Sequence, residues 1–415
     1  MVIVLLIYLL LAYVHRTSPI CLISYIMQAM SVLGALMIGY DIQISTFSEL
    51  LILFFTIGVN IIVISSWKSF VPFQSIMSKR PGLFKKYSNV LMFLSALVLI
   101  VFTIITVLVY RFVDNIDAYK YGGENEYFLQ TLPIPGVIIT LVSFIYPLAF
   151  LLIPISFYYL YVKKYRYAIF CLLCSTGAVM YGLSFFSRWV PMCYILLFVV
   201  TFFLFKNLLP DRVNRIIKRI ITILAIICGT MFMIVTYQRF GEDTSNAASY
   251  SENMSSKSLI TDPTLYSMFD YLSQSIPYGQ DALSKFRGCT FSGQQTFNDV
   301  LKLLNSVGLV NYDSQNFSRL KSNLLGEYDI RFLGITAASV YDFGFLFTMI
   351  LSVIYNLYVR YRTRRKNVTI EDFEKLFPLM LLPIMSIFFS LAYLMINILF
   401  FRFFIKSFLY ILYKK

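Results

Sequence analysis

Charge and histidine are scarce in this 415-residue chain. Charged residues make up only 13% of it, and His15 is the sole histidine. Aqueous domains carry about 25% charged residues, so no water-facing fold accounts for this composition. One histidine rules out a His-cluster metal site. Acids are also few, 21 against 35 Lys and Arg. The chain has no P-loop, no HExxH and no GxSxG, so the usual marks of ATP-driven transport and of zinc or serine hydrolysis are missing. Neither a metal nor a cofactor is expected. Five of the six cysteines, Cys21, Cys171, Cys174, Cys193 and Cys228, fall within apolar runs. Cys171 and Cys174 form a CxxC with no second pair, which reads as apolar filler, and Cys289 stands alone in a polar stretch, where no disulfide can form. The first apolar run has neither a basic flank before it nor a small-residue cleavage site after it, so no cleavable signal is expected.

What the chain has in excess is apolar surface: 59% hydrophobic residues and a mean hydropathy of +0.74. A helix crossing roughly 30 Å of hydrocarbon needs about 20 mainly apolar residues. Runs of that kind fall at about 1–14, 20–40, 46–66, 88–110, 137–162, 167–186, 189–205, 220–237, 333–359, 376–392 and 394–412. Long runs exclude the short alternating segments of a β-barrel. The expectation is an all-α polytopic integral membrane protein with about 11 transmembrane helices (10–12).

The net charge of +14 sits in short loops, so a nucleic-acid-binding face is not expected. Four basic clusters mark the same side of an alternating path. They are Lys68 to Lys86, Lys163 to Arg166, Lys206 to Arg219, and Arg360 to Lys366. By the positive-inside bias that side is cytoplasmic, which puts the N-terminus outside, the Lys414–Lys415 tail inside and His15 in a cytoplasmic turn.

The same alternation places a polar stretch, 238–332, on the outer face. The chain divides into 1–237, an N-terminal bundle of about eight spans, the external loop 238–332, and 333–415, with two or three further spans. Within the loop, 264–277 repeats apolar positions at helical spacing. Thr296, with Asp299 three residues on, reads as an N-terminal cap of a short helix. The Ser/Asn/Glu-rich 241–262 reads as its most mobile part. The loop is expected to form a small helical cap.

The chemical candidates lie on this outer side. Arg188, after Gly182 to Ser187, sits at the rim between two spans, where a planar guanidinium can grip a phosphate bidentately. Snorkelling to lipid headgroups is the plainer reading of the same residue. Arg239 and Arg331 flank the two ends of the loop. Arg287, Arg319 and Lys321 are further anion contacts, each equally readable as a solvated charge. Glu327, Tyr328, Asp329 and Arg331 gather acids, a phenol and a base before a span. Asp342 is the least expected charge in the chain, because a carboxylate inside an apolar segment is a functional candidate by default. Pairing within the fold is the alternative for it. Small residues around Gly334 and Gly344 suit close helix contact. Arg402 and Lys406, at i,i+4 spacing, are explained by snorkelling or tail placement at the interface at least as well as by catalysis.

Three local marks carry a resemblance. They are Gly182…Ser187-Arg188 opening a span, Gly293-Gln-Gln-Thr296-Phe297 in the loop, and Ser339-Val-Tyr341-Asp342-Phe343-Gly344 after it. With the many spans and one large late loop, the chain resembles the Wzy-type O-antigen and capsular oligosaccharide repeat-unit polymerases. The short first segment departs from that family's usual count of about twelve spans.

The resemblance implies a membrane-embedded, GT-C-like glycosyltransferase, inverting and metal-independent, with no cofactor. Its partners would be undecaprenyl-pyrophosphate-linked donor and acceptor glycans, the lipid bilayer, a chain-length regulator and a flippase, with no nucleic acid. Its place would be the bacterial cytoplasmic (inner) membrane. Catalytic roles would fall to Arg188, Asp342, Glu327 and Asp329. Pyrophosphate and substrate contacts would fall to Arg239, Arg287, Arg319, Arg331 and Tyr341. An O-antigen ligase is the nearest alternative, but it is expected to use an external histidine. A lipid-linked oligosaccharide flippase would show regular short loops and internal repeats instead.

Overall fold

A computed structural model describes the chain except for 41–43, 114–118, 120–123, 188, 241–253, 330–331, 365–367, 388–391 and 414–415. The first helices are α1 (Val2–Val14), α2 (Pro19–Met37), α3 (Phe47–Ser65) and α4 (Pro81–Phe112). A short α5 (Glu124–Thr131) precedes α6 (Gly136–Ile145), which continues through a tighter 3-10 stretch, Tyr146–Leu151, into α7 (Leu152–Tyr161). Then come α8 (Tyr165–Ser175), α9 (Gly177–Ser184), α10 (Trp189–Phe205) and α11 (Asp211–Phe240). The polar loop contributes α12 (Pro263–Ser273), α13 (Pro277–Ser284), α14 (Gln294–Ser306) and α15 (Ser314–Leu325). The chain continues with α16 (Gly334–Thr363), α17 (Ile370–Leu376), α18 (Leu381–Ile384) and α19 (Ala392–Tyr413). Among the described residues there is no strand, only one isolated bridge between Met77 and Thr369.

The protein is an all-α multi-pass membrane protein. Among the described residues, eight helical stretches are long and apolar enough to cross a bilayer: Pro19–Met37, Phe47–Ser65, Pro81–Phe112, Gly136–Tyr161, Tyr165–Ser184, Trp189–Leu208, Gly334–Thr363 and Ala392–Leu412. The other three expected segments take different forms. Residues 1–14 make a 13-residue helix, shorter than a span. Residues 220–237 fall inside α11, whose first turns carry Arg212, Arg215, Lys218 and Arg219. The 376–392 run is broken into the 3-10 turn Phe377–Met380 and the four-residue α18, and 388–391 lie outside the described residues.

Two compact units form. The first comprises Met1–Val71, Thr236–Lys366 and Met380–Ile396; the second comprises Pro72–Val235, Asn367–Leu379 and Asn397–Lys415. This partition does not follow chain order, because the polar loop packs on helices that precede and follow it.

In the first unit, α2 starts at Pro19 with Ser18 as its cap, and α3 starts with a complete Thr46/Glu49 capping box. Each device satisfies amides that a helix start leaves unpaired. Helix α2 packs on α1, α12 and α18, while α3 packs on α13 and α16. Polar ties hold these contacts: the Trp67 indole N–H donates to the Tyr355 hydroxyl at 2.9 Å, and Asn356 Nδ2 donates to the Ile62 carbonyl at 2.6 Å. The loop has an apolar core of its own, built from Leu283, Phe291, Phe317, Leu325 and Tyr328 and closed by Leu333, Val340 and Tyr341 of the following segment. On the far side of α16, Leu346, Phe347 and Leu357 stay 60–70% exposed, the pattern of a lipid-facing stripe in a chain of this composition.

In the second unit, α4 packs along α8 and α9, and α7 lies on α8 and α10. Tyr146 and Tyr181 stack at 3.7 Å between ring centres. Helix α17 docks on α7, and the Ile370 amide donates to the Met77 carbonyl at 3.0 Å.

Candidate functional site

Helix α16 breaks at Gly344, whose backbone (φ +82°, ψ 166°) lies where side-chain-bearing residues are strained. A break there releases carbonyls one turn earlier, because a helical carbonyl is normally taken by the amide four residues on. The polar loop uses them. The Phe291 amide donates to the Tyr341 carbonyl at 2.8 Å, and the Gly293 amide to the Asp342 carbonyl at 3.1 Å. Gly344 therefore serves a kink rather than the close helix contact expected of it. Gly279 does serve close contact: a Cβ there would lie 2.7 Å from the Leu333 carbonyl oxygen.

Asp342 is 1% exposed and sits at this seam. Its Oδ2 accepts from the Thr296 amide at 2.8 Å and from the Thr296 hydroxyl at 2.5 Å, and its Oδ1 accepts from the Gln295 amide at 3.2 Å. The carboxylate thus caps the N-terminus of α14 across 46 positions of sequence. This corrects the expectation that Thr296 is the cap. The helix starts at Gln294 after a left-handed Gly293 that offers no side chain, so its first amides turn to an acid from elsewhere. A carboxylate at a helix N-terminus is also favoured by the helix dipole.

Tyr341, beside it, is buried. Its hydroxyl donates to the Ala282 carbonyl at 3.0 Å, and its ring packs on Phe286 and Phe291. Asp329 pairs with Lys321 at 2.5 Å and accepts from Ser322 Oγ at 2.7 Å. Arg287 follows α13 and Arg319 lies on α15; both are exposed. Arg188 and Arg331 lie outside the described residues. Arg239 belongs to the last turn of α11 and Glu327 to the 3-10 turn Gly326–Tyr328, and the side chains of both lie outside the described set. Of the residues singled out from sequence, the structure brings Tyr341 and Asp342 together with the Gly293–Thr296 segment.

Two constellations of the loop were not legible beforehand. In the first, Asp270 of α12 is 1% exposed; its Oδ1 accepts from the Tyr40 hydroxyl at 2.8 Å and its Oδ2 from Gln274 Nε2 at 2.8 Å. Tyr40 also shares a 2.5 Å hydrogen bond with the Tyr278 hydroxyl. Burial, then the neighbouring Asp270 and Tyr278, holds the Tyr40 phenol far above its ordinary pKa. The Gln274 side-chain oxygen accepts from the Phe332 amide at 3.1 Å, and Gln280 Nε2 donates to the Glu49 carbonyl at 2.7 Å. The second lies one turn outward along α13. There Lys285 donates to the Tyr328 hydroxyl at 2.5 Å and pairs with Asp281 at 3.1 Å, while the Tyr328 hydroxyl donates to Asp281. The side chains of Asp281 and Lys285 are about half exposed. Hydrogen bonds to Tyr328 and Asp281 raise the lysine pKa well above its usual range, so its charge is secure at neutral pH. Along α12 and α13, a buried acid with two half-buried phenols is thus followed by a half-exposed acid and cation that share the buried Tyr328 hydroxyl.

The second unit holds a constellation of its own. Glu374 of α17 is fully buried. Arg402 reaches it with Nε at 2.8 Å and a terminal nitrogen at 3.4 Å, and Lys406 and the Tyr87 hydroxyl bind the same carboxylate. The lysine ammonium also lies 4.5 Å from the centre of the Tyr87 ring. Burial alone would raise the Glu374 pKa, but Lys406 and Arg402 outweigh it and hold the carboxyl below its ordinary value. Snorkelling therefore does not describe Arg402 and Lys406, which turn inward onto an acid. Their i,i+4 spacing was the visible signal, and Glu374, two residues before an apolar run, was the overlooked one.

His15 stacks on Tyr25 at 5.9 Å, its pKa lowered by burial and by Lys68. Among the described residues no group of His, Cys, Asp and Glu is arranged to hold a metal. Cys171 and Cys174 are buried, and Cys289 is exposed. No family model matches the chain, and neither a curated protein nor a solved structure does.

Proposed function

We propose that the protein is a membrane-embedded glycosyltransferase that polymerises undecaprenyl-pyrophosphate-linked oligosaccharide repeat units into O-antigen or capsular polysaccharide. In this reading the basic loops are cytoplasmic and the polar loop lies on the outer face of a bacterial inner membrane. The observation that carries it is the loop itself. It folds as a cap with its own core, is tied to α16 by Asp342 and two released carbonyls, and presents Asp281, Lys285 and Arg287 at its surface.

The chemistry asked of such a cap is modest. An acceptor-sugar hydroxyl attacks the anomeric carbon of the donor, the bond from that carbon to the pyrophosphate oxygen breaks, and the hydroxyl proton passes to a carboxylate. Each charge-assisted hydrogen bond to the departing pyrophosphate contributes roughly 1.5–3 kcal/mol. Arg239, Arg331, Lys285 and Arg287 are the cations of the first unit offered for this, and Arg188 is carried over from the resemblance alone. Asp281, Asp329 and Glu327 are the acids offered as general base. Asp342 is a weaker candidate, since it is buried from solvent as well as hydrogen-bonded through both oxygens within the loop.

The test is complementation of a polymerase-deletion strain, read as the ladder of surface polysaccharide. Arg188→Ala and the double change Lys285→Ala/Arg287→Ala are each expected to leave single repeat units and lose long chains. Long chains at normal protein level from both variants would refute the reading.

A further inference from the structure

In the second unit, the end of α7 and the segment before α4 enclose an open groove of about 450 Å³, lined by Ile76, Met77, Ser78, Tyr158, Tyr161, Val162 and Lys163. We propose that this groove binds the phosphate-bearing headgroup of an anionic phospholipid, with Lys163 as its cationic contact.

The first observation is strain. Helix α7 ends with Lys163 in the left-handed conformation, φ +60°. The Lys163 amide bonds back to Leu160 at 3.1 Å and the Lys164 amide to Tyr159 at 2.8 Å, a helix stop that glycine fills most readily. A lysine there is held in backbone that disfavours its Cβ. An outlier of this kind points to a role for the side chain, and here that side chain lines the groove.

The second observation is chemical. Ile76 is buried, but Met77 is 72% exposed, an apolar side chain left bare beside the exposed Lys163. Tyr158 and Tyr161 complete the wall, and tyrosine is the ring preferred at the boundary between hydrocarbon and headgroups. Apolar contact, phenols and a cation in one groove suit the acyl, glycerol and phosphate parts of a lipid.

The third observation is charge. The acids nearest this face are engaged: Glu371 accepts from Ser78 Oγ at 2.5 Å and from the Lys79 and Arg80 amides, Asp372 pairs with Lys79 at 2.8 Å, and Glu374 takes Arg402 and Lys406. The run Lys163, Lys164, Arg166 contains no acid. The groove therefore opens into a positive rim at the ends of Gly136–Tyr161 and Tyr165–Ser184, two membrane-crossing stretches. The occupant is the surrounding bilayer's own anionic lipid, for which one lysine near the surface changes affinity about fivefold.

Titration of the purified full-length protein in a neutral detergent with phosphatidylglycerol, read by native mass spectrometry, tests this. Lys163→Gly is expected to weaken the first lipid-binding step about fivefold, while Lys163→Arg keeps it within about twofold. Glycine relieves the left-handed backbone, so without lipid Lys163→Gly is expected to melt no lower than the wild type. Met77→Glu, at an exposed position with no packing to lose, is expected to weaken the same step by repulsion. Unchanged binding in both Lys163→Gly and Met77→Glu would overturn the proposal. So would equal competition by phosphatidylcholine, and so would full displacement of the lipid by inorganic phosphate, which would make the groove a site for free phosphate.

Discussion

Replacing Glu374 by glutamine tests whether the second unit depends on an ion cluster. In the native chain one carboxylate faces Arg402, whose side chain is 10% exposed, and Lys406, at 28%. Glutamine keeps the shape and removes the charge, leaving two cations close together and mostly out of water. Removing one partner of a buried ion pair costs about 3–5 kcal/mol, chiefly because the other is left uncompensated. The upper part of that range applies here, since two cations lose one acid. Lys406→Met should cost less, because Glu374 keeps Arg402, and Arg402→Met should fall between. Changing all three to Leu, Met and Met removes the charges together and should recover most of the loss.

Thermal unfolding in detergent, followed by helical circular dichroism, would read these differences. For a cooperative unit of this size, a loss of about 4 kcal/mol lowers the Tm by about 10 °C. The pH dependence has a definite sign. The native carboxyl lies below its ordinary value, and an unfolded glutamate titrates near pH 4.3. Its stabilisation is complete above that pH and is lost as pH falls through the lower native value. The wild type should lose more stability on acidification than Glu374→Gln does. A variant within about 0.5 kcal/mol of the wild type, with the same acid limb, would refute the reasoning.

Other outcomes follow from the first unit. Asp342→Ala strands the Gln295 and Thr296 amides and should destabilise the loop by about 2–3 kcal/mol, seen as faster tryptic cutting at the exposed Arg287. Asp342→Asn keeps one acceptor oxygen and should retain long-chain product if the residue is structural; complete loss at normal protein level would assign it to catalysis instead. Gly344→Ala forces a side chain into glycine-only backbone at about 1–3 kcal/mol, and the same proteolysis should report it. Cys289 is exposed while Cys21, Cys171, Cys174 and Cys193 are buried, so in a Cys228→Ser background a membrane-impermeant maleimide should label intact spheroplasts, and adding Cys289→Ser should abolish the signal. Labelling only after permeabilisation would invert the orientation proposed here.

Much of the architecture is a local property, and the sequence by itself determined it. Apolar runs of about 20 residues have one stable form in hydrocarbon, the helix, because only there does each segment satisfy its own backbone. The Thr46/Glu49 box and the Asp262 and Asp313 caps are short-range signals of the same kind. Sequence also pointed to Asp342 and to Arg402 with Lys406, because charge in an apolar run is conspicuous. Their partners were not legible. Asp342 meets Thr296 across 46 positions, and Glu374 meets Arg402 across 28 and Tyr87 across 287. Periodicity fixes which face a residue occupies and leaves open which other face will cover it. That choice belongs to packing, and here packing turned one expected intramembrane acid into a helix cap and two expected snorkelling cations into the ligands of a buried glutamate.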